Sequence, residues 1–321
     1  MKYPHDYQIE ADFDLLSTCN FRCSYCFVPL EQLGARIVRF ATNLEWQRAF
    51  DGSGKTWLIH ITGGEPFVYP EFVNLCDLLT RRHYLSINSN LAHRSVDDFA
   101  ATIDPAKVHF INASLHYTER QAKGGLDSFV RRIHKLQDAH FPVFVSLVMT
   151  PEMIRLFDQI ASDLESNAVF VIPKIMYGAY KGRLYPRSYS SEERLMLRRS
   201  LSKAAMHYTP TLSTLAERPT IDMFSDDDLL DGNDDFTGRL CGSGHSFVAI
   251  NKDGTLVRCG SGQHLGNLLT GDLQLLSRPV PCDSAYCHYF CRKFTAAPFA
   301  AESEGDHKSD AAPARMLPVI P

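Results

Sequence analysis

Short apolar runs alternate with amphipathic segments along the first two thirds of the chain. Six runs have the length and β-branched content typical of buried strands; they cover residues 9–15, 56–61, 84–88, 108–115, 142–149 and 169–172. Apolar residues recur at helical spacing in the segments between and after these runs. The predicted helices cover residues 43–50, 72–79, 99–103, 128–139, 152–164 and 190 to about 207. Strands that alternate with helices predict an α/β fold with a parallel sheet covered by helices.

Three further regions follow the last predicted helix. Residues 208–238 contain prolines and two aspartate runs, a composition typical of a linker or a solvated cap. Residues 239–294 are rich in cysteine, and an Asp-Gly turn between apolar runs at 247–259 predicts a β-hairpin. Residues 295–321 are rich in Ala, Pro and charge, which predicts a disordered tail. The chain is thus predicted to hold a core domain at 1–207, an acidic linker at 208–238, a small domain at 239–294 and a tail.

Composition excludes several classes of protein. The chain has 321 residues, of which 45% are hydrophobic and 22% charged, as in an ordinary globular protein. Its formal net charge of -4 argues against a nucleic-acid-binding surface. No apolar run approaches the length of a membrane span, and the first residues lack the basic segment and apolar core of a signal peptide. We therefore expect a cytoplasmic protein with neither a nucleic-acid partner nor a membrane partner.

The nine cysteines are unevenly distributed. Eight of them fall in two groups, at 19–26 and 241–291, while Cys76 lies alone in an apolar helical pattern. In a reducing compartment such clustering favours metal binding over disulfides. Cys76 is interpreted as a small core residue.

The first group follows directly after the first predicted strand. Cys19, Cys23 and Cys26 lie within eight residues, and soft thiolate ligands favour zinc or an iron–sulfur cluster. A closed zinc site needs four ligands, and no fourth cysteine or well-placed histidine follows soon after Cys26. A four-iron cluster held by three thiolates leaves one iron open to a substrate. The alternatives are an incomplete zinc knuckle or a chance group of buried thiols.

This stretch resembles the signature of the radical S-adenosylmethionine (SAM) enzymes. That signature is Cys-x3-Cys-x2-Cys with an aromatic residue before the last cysteine, and Cys19, Cys23, Tyr25 and Cys26 match it. The resemblance implies an open partial (β/α)6 barrel and a [4Fe-4S] cluster whose open iron binds the amino and carboxylate groups of SAM. It also implies an external electron donor such as flavodoxin or ferredoxin, and a 5′-deoxyadenosyl radical that abstracts hydrogen from the substrate.

A second motif, Gly63-Gly64-Glu65-Pro66, ends the second predicted strand. Glycines permit close approach of the backbone to a ligand, and a carboxylate can accept a charge-assisted hydrogen bond from an ammonium group. The resemblance assigns Gly63, Gly64 and Glu65 to the amino group of SAM. A plain strand-to-helix turn is the alternative interpretation. The position of the motif, at the end of the strand after the cysteine loop, favours the family assignment.

Other SAM contacts are implied at the ends of strands. The resemblance places Tyr25 near the adenine, while Asn88 and Ser114 lie where the family contacts the carboxylate and the ribose. Polar residues also end strands merely to begin turns, which is the alternative for both. Two interpretations apply to His116. It is either a group that contacts the substrate or donates a proton, or an ordinary surface or core residue whose hydrogen bonds are satisfied, and the second interpretation is favoured.

Three residues follow the sixth predicted strand: Lys174, Tyr177 and Lys181. They are placed to meet an anionic substrate. Solvated lysines are the commoner case and form the alternative interpretation.

The second cysteine group has five members: Cys241, Cys259, Cys282, Cys287 and Cys291. A hairpin would bring Cys241 and Cys259 together, because its two ends are neighbours in space. The region resembles the SPASM or Twitch extension of radical SAM enzymes in its Cys, Gly, Cys hairpin (Cys241, Gly254, Cys259) and its closing Cys-x3-Cys. It departs from a full SPASM domain in having too few cysteines for two clusters.

The resemblance implies one auxiliary [4Fe-4S] cluster held by four of these five thiols. Cys241, Cys259 and Cys291 are assigned as three of the ligands, and Cys282 and Cys287 are the alternatives for the fourth. The cysteine left over is either idle or a hydrogen-atom donor. A structural zinc ribbon is the alternative, because four thiolates at such spacings suit zinc equally well.

The predicted function is that of a radical SAM oxidoreductase or isomerase acting on a small biosynthetic intermediate or a peptide. The auxiliary cluster would accept the electron left on the substrate or anchor a substrate thiolate. Few residues precede the first strand, which favours a small molecule, or a peptide delivered by a separate protein, over one held by an N-terminal recognition domain. The alternatives are a ribosomal-peptide maturase, an iron–sulfur electron-transfer protein that binds no SAM, and a zinc-binding module.

Overall fold

The protein is described by a computed structural model. The description covers residues 6–214, 230–231, 235–259 and 262–283. Most of the predicted linker, the predicted tail, Cys287 and Cys291 lie outside the described residues. None of the helices in these ranges combines the length and the apolar character needed to span a membrane.

One large sheet forms the centre of the fold. The strands of the described residues are β1 (Ile9–Leu16), β2 (Trp57–Gly63), β3 (Tyr84–Ser89), β4 (Val108–Ser114), β5 (Val143–Met149), β6 (Ile172–Ile175), β7 (Gly178–Tyr180), β8 (Arg183–Tyr185), β9 (Leu240–Cys241), β10 (Phe247–Ile250), β11 (Thr255–Val257), β12 (His264–Asn267), β13 (Asp272–Leu273) and β14 (Val280–Pro281). Ten of these strands form the large sheet, while β7 pairs with β8 and β9 pairs with β14 in two small sheets. Strands β1 to β6 lie in sequence order and pair in parallel. The predicted α/β fold with the six parallel strands of a partial barrel is therefore confirmed.

Eight helices follow or separate these strands in the described residues. They are α1 (Leu30–Leu33), α2 (Asn43–Gly52), α3 (Phe72–Thr80), α4 (Val96–Thr102), α5 (Tyr117–Lys123), α6 (Leu126–Asp138), α7 (Pro151–Glu165) and α8 (Ser191–Thr214). Side-chain caps fix several of their starts. Thr42 and Glu45 form a reciprocal capping box before α2, and Thr150 accepts from the backbone N–H of Met153 before α7.

The two faces of the sheet differ in character. Phe13 of β1 packs on the helix side against Trp46 and Phe50, with ring centroids 4.7 and 5.8 Å apart. The opposite face carries buried polar groups. His60 Nε2 lies 3.0 Å from the Glu10 carboxylate, and His60 Nδ1 contacts the Ser86 hydroxyl. Alternation along each strand thus places the apolar core under the helices and leaves a polar barrel interior.

The predicted position of the sixth strand was wrong by three residues. It was placed at 169–172, whereas β6 runs from Ile172 to Ile175. The cause is the end of α7. Ala168 adopts a left-handed conformation with φ 56°, and Val169 N–H donates to Leu164 O, so Val169 belongs to the helix terminus.

The last helix is longer than predicted. It was expected to end near His207, but α8 continues to Thr214 through Pro210. Tyr208 anchors this extension, because its buried hydroxyl donates to Phe170 O at 2.7 Å and accepts from Val145 N–H. The first residues of the predicted linker are therefore helical.

The predicted hairpin is confirmed, and it has a partner that the sequence did not reveal. β10 and β11 pair antiparallel with Ile250 opposite Leu256, and Gly254, at φ 84°, closes the turn through its N–H to Asn251 O. β10 also pairs in parallel with β1, with Phe247 opposite Glu10. The sheet order β13-β12-β11-β10-β1 therefore joins the C-terminal region to the barrel as one continuous sheet.

Candidate functional site

The loop after β1 carries three thiols to the carboxyl ends of the parallel strands. Cys19, Cys23 and Cys26 are half-buried and line a cavity of about 260 Å³. Hydrogen bonds within the loop hold them there: Cys26 N–H donates to Cys23 O at 3.1 Å, and Phe21 N–H donates to Cys19 Sγ at 3.3 Å. This is the end of the strands at which parallel α/β folds bind ligands.

The chemistry of the loop fits a metal centre with thiolate ligands, such as an iron–sulfur cluster. Burial raises the pKa of Cys19 to about 11 and that of Cys23 to about 12, so both thiols are protonated until a metal displaces the proton. In the described parts of the chain, no three His, Cys, Asp or Glu side chains are arranged to hold one metal ion. In a cubane each thiolate binds a different iron, so its ligands surround the cluster and need not converge on one point.

Two glycines form the contact between β2 and the cysteine loop. Gly64 N–H donates to Leu16 O at 2.6 Å, and the next N–H along the chain donates to Thr18 O. A Cβ on Gly63 would lie 2.2 Å from Leu16 O, and one on Gly64 would lie 2.2 Å from Thr18 O. Gly63 also has a φ of 124°. Close backbone packing therefore requires both glycines, and both line the cavity.

Glu65 lies behind these glycines and is fully buried. Its carboxylate accepts hydrogen bonds from Phe67 N–H at 3.0 Å, Ser89 Oγ at 2.7 Å and Asn90 N–H at 2.7 Å. Burial raises the pKa of Glu65, and these three donors oppose that shift. The side chain thus ties the turn after β2 to the end of β3, a structural task that the sequence did not reveal. A direct contact of this carboxylate with the amino group of SAM remains a prediction.

Asn88 and Ser114 end neighbouring strands and line the same cavity. Among the described residues, the buried Oδ1 of Asn88 has no hydrogen-bond partner. A buried acceptor without a donor costs about 1–3 kcal/mol, so a ligand that supplies the donor binds more favourably. By contrast, the equivalent Oδ1 of Asn112 on β4 accepts from Ser146 Oγ at 2.8 Å.

Tyr25 and His116 form a wall of the cavity next to the thiols. Tyr25 Oη lies 2.8 Å from His116 Nδ1, and the same nitrogen lies 3.3 Å from Cys23 Sγ. Burial lowers the pKa of His116 to about 4, so the imidazole is neutral, and burial raises the pKa of the Tyr25 phenol. The sequence favoured an ordinary histidine at this position. The structure places this histidine against a predicted cluster ligand. The two residues are 93 positions apart, and a lone histidine gave no signal for the contact.

A second cavity of about 260 Å³ lies on the other side of this wall. Its lining includes four charged residues: Arg22, Glu119, Glu152 and Lys181. Lys181 Nζ lies 2.5 Å from the Glu152 carboxylate, so this predicted substrate contact has an intramolecular partner. The first cavity carries no Asp, Glu, Lys or Arg among its described lining residues, and Tyr177 contributes to it. Lys174 lies on β6 and is partly buried.

The described cysteines of the C-terminal region lie on three adjoining segments. β9 carries Cys241 and pairs with β14, with Val280 opposite Cys241. Cys282 directly follows β14, and its N–H donates to Arg239 O at 2.8 Å. Cys259 follows β11.

Arg258 joins these segments. Its buried guanidinium donates to Ser243 O at 3.1 Å and to Pro281 O at 2.9 Å, while its own carbonyl accepts from the Ser243 hydroxyl. The backbone stretches that carry Cys241, Cys259 and Cys282 are thus held side by side. The remaining two predicted ligands lie beyond the described residues, so the ligand set remains a prediction.

Comparison with solved structures agrees with this fold. Among solved structures, the chain resembles polyhistidine-tagged anSMEcpe with bound AdoMet, with a TM-score of 0.56 and 15% identity over 82% of this chain and 75% of that one. It also resembles Streptococcus suis SuiB bound to S-adenosylmethionine, with a TM-score of 0.56 and 14% identity over 84% of this chain and 65% of that one. At these identities the likeness concerns the fold, and the chain spans less than two thirds of SuiB.

Sequence comparison delimits the related region. A search of curated protein sequences found no match. The family model described as the Radical SAM superfamily matches residues 15–164. That range contains the three-cysteine loop, the glycine turn and the ends of β3 and β4. Residues 15–164 of this chain are therefore similar to a radical SAM domain.

Proposed function

We propose that this protein is a radical SAM enzyme that cleaves SAM reductively and abstracts hydrogen from a small biosynthetic intermediate or a peptide. Cys19, Cys23 and Cys26 would hold the [4Fe-4S] cluster, which supplies the single electron. The observation that carries the proposal is the single cavity that these three thiols share with the glycine turn and the unpartnered Asn88 Oδ1. SAM offers a matching set of groups: an ammonium, a carboxylate and ribose hydroxyls.

The chain's own residues would position SAM in this cavity. The backbone of Gly63 and Gly64 lines the same cavity as the thiols and would receive the amino group. Asn88 Oδ1 is an acceptor, so it suits a ribose hydroxyl better than a carboxylate. Val148 and Met176 contribute apolar surface to the same cavity, which helps to exclude water from a reactive intermediate.

For the C-terminal region we propose that its cysteines bind an auxiliary iron–sulfur cluster. One auxiliary [4Fe-4S] cluster would use four of its five cysteines, and Cys282 or Cys287 would be left as a hydrogen-atom donor or an idle thiol. The three segments that Arg258 joins support this proposal, because they bring the chain around Cys241, Cys259 and Cys282 into one neighbourhood. The cluster would accept the substrate electron, which makes the reaction an oxidation, or anchor a substrate thiolate.

Peptide substrates are the second candidate, in the form of a precursor delivered by a separate protein. Two structures with the same fold support this proposal: SuiB bound to precursor peptide SuiA, with a TM-score of 0.54, and anSMEcpe with bound AdoMet and Cp18Cys peptide, also with a TM-score of 0.54. The second cavity of this chain carries charges of both signs beside the Tyr25–His116 wall, which suits the charged groups of a peptide or an amino acid.

Release of 5′-deoxyadenosine tests the enzymatic proposal. Protein reconstituted anaerobically with iron and sulfide and then reduced is expected to convert SAM to methionine and 5′-deoxyadenosine, detected by chromatography. An iron–sulfur electron carrier would be brown but would release no nucleoside. A zinc module would be colourless and contain zinc, and either of these outcomes would contradict the proposal. Deuterium transfer from candidate substrates into the nucleoside would then identify the substrate class.

Replacement of Asn88 by leucine is expected to separate stability from SAM binding. The Oδ1 atom is unpartnered in the described structure, so its loss should leave the free energy of unfolding unchanged or raise it by about 1 kcal/mol. SAM affinity should fall about tenfold, which corresponds to about 1.4 kcal/mol. Urea unfolding and equilibrium dialysis with SAM measure the two effects.

Asn112→Leu is the matched control for this variant. Asn112 lies opposite Asn88 in the neighbouring strand, but its amide is already paired with Ser146. The control should therefore lose about 1 kcal/mol of stability and keep its SAM affinity. Equal SAM affinity in Asn88→Leu and the wild type would contradict the role given to Asn88.

A further inference from the structure

The contact between Cys23 and His116 joins two distant parts of the chain. His116 Nδ1 lies 3.3 Å from Cys23 Sγ and 2.8 Å from Tyr25 Oη. The residue directly precedes α5 and has a φ of 44°, in the left-handed region that non-glycine residues rarely adopt. Such backbone strain persists only where the surroundings enforce it, and it is common at functional sites.

The surroundings of His116 fix the direction of its ring. The Tyr25 ring stacks on the imidazole, with centroids 6.0 Å apart and an interplanar angle of 24°, and the Phe21 ring meets it edge-on at 5.9 Å. Both aromatic residues belong to the cysteine loop. The ring is therefore held between them with Nδ1 directed at the loop.

Arg120 fixes the backbone on either side of His116. Its buried guanidinium donates to Leu115 O and Ser114 O, which precede His116, and to Asn90 O at the end of β3. The N–H of Arg120 also donates to His116 O. A buried, fully engaged arginine thus holds the start of α5 against the strand ends, and the position of the imidazole is built into the fold.

A thiolate bound to iron can only accept hydrogen bonds, so a nitrogen that contacts it must present its N–H. The Tyr25 hydroxyl oxygen, 2.8 Å from the same nitrogen, then acts as a second acceptor of this N–H. Hydrogen bonds to the sulfurs of an iron–sulfur cluster are among the features that set its reduction potential, because they stabilise the more negative, reduced state. We propose that His116 is a positioning residue that donates a hydrogen bond from Nδ1 to Cys23 Sγ and thereby raises the reduction potential of the cluster. This inference rests on the proposed function, since it needs the cluster that Cys19, Cys23 and Cys26 would hold.

Two substitutions at this position separate the hydrogen bond from the backbone strain. His116→Gly removes the donor, while His116→Asn keeps an amide N–H near the position of Nδ1. Glycine and asparagine both tolerate the left-handed backbone, so neither variant adds strain. We expect the midpoint potential of the cluster to shift to more negative values in His116→Gly and to stay close to that of the wild type in His116→Asn.

The potential is measured by a redox titration followed by electron paramagnetic resonance. Addition of SAM identifies the relevant signal, because SAM perturbs the cluster with the open iron and leaves an auxiliary cluster unchanged. Wild-type protein without any cluster would contradict the proposed function. A cluster with equal potentials in the wild type and His116→Gly would contradict the present inference alone.

A measurement on the wild type covers the case in which His116→Gly does not retain the cluster. Protein grown with 15N-histidine is expected to show a weak nitrogen coupling to the reduced cluster in pulsed electron paramagnetic resonance. His116 is the only histidine among the described residues that line the cluster cavity, so a coupling in the signal that SAM perturbs would come from its ring. Absence of the coupling would overturn the inference, and its loss in His116→Asn would support it.

Discussion

Cys23→Ala is expected to abolish the release of 5′-deoxyadenosine and to remove about half of the bound iron. The substitution leaves two thiolates for a cluster that the proposal gives three protein ligands. The C-terminal cysteines are unchanged, so about four of about eight iron atoms should remain in the auxiliary cluster. Iron and sulfide analysis, visible absorption and the nucleoside assay measure these effects on the same sample.

Cys76→Ala is the matched control for this experiment. Cys76 is fully buried in α3 and lies outside both predicted cluster sites, so its loss removes a thiol without removing a ligand. The control should bind as much iron as the wild type and release as much 5′-deoxyadenosine. Unchanged iron content and activity in Cys23→Ala would contradict the assignment of the cysteine loop. Loss of all iron from Cys23→Ala would contradict the independent auxiliary cluster.

The strands and helices of the barrel were predictable because their signals are local. The run that forms β5 is apolar and rich in β-branched residues, and the helix that follows it begins at a threonine cap with proline in its first turn. Errors arose where a tertiary contact decides the end of an element. Val169 is apolar like a strand residue but closes α7, and Tyr208 extends α8 through its hydrogen bonds to the sheet.

The candidate site was predictable only where residues close in sequence carry it. The three-cysteine loop and the glycine turn are short motifs with a fixed spacing. By contrast, the pairing of β10 with β1 joins residues more than 230 positions apart. The sequence of neither strand indicates which strand it pairs with. The same holds for the contact of His116 with Cys23 and for the carboxylate of Glu65, whose three donors come from two different segments. The resemblance to a family indicated which residues meet, but not which atoms of Glu65 or Asn88 remain available to a ligand.

The glycine turn shows how backbone packing positions the thiols, and Gly64→Ala is expected to disrupt it. The added Cβ would lie 2.2 Å from Thr18 O and 2.5 Å from Ser17 O, which are backbone atoms of the loop leading to Cys19. The loop must move, because backbone atoms cannot avoid the clash by a rotamer change. We expect a loss of about 3 kcal/mol in the free energy of unfolding, at the upper end for overpacking, together with weaker binding of SAM.

Gly52→Ala provides the comparison that isolates this clash. Gly52 is the last residue of α2, and a Cβ there would meet no atom within 4 Å. The control should be as stable as the wild type or up to about 1 kcal/mol more stable, since alanine favours the helix. Urea unfolding of the metal-free proteins measures the packing effect without the cluster, and SAM binding to the reconstituted proteins measures its consequence for the site. Equal stability of Gly64→Ala and Gly52→Ala would mean that the turn and the cysteine loop are not packed as described, and the cavity that they form together would lose its structural basis.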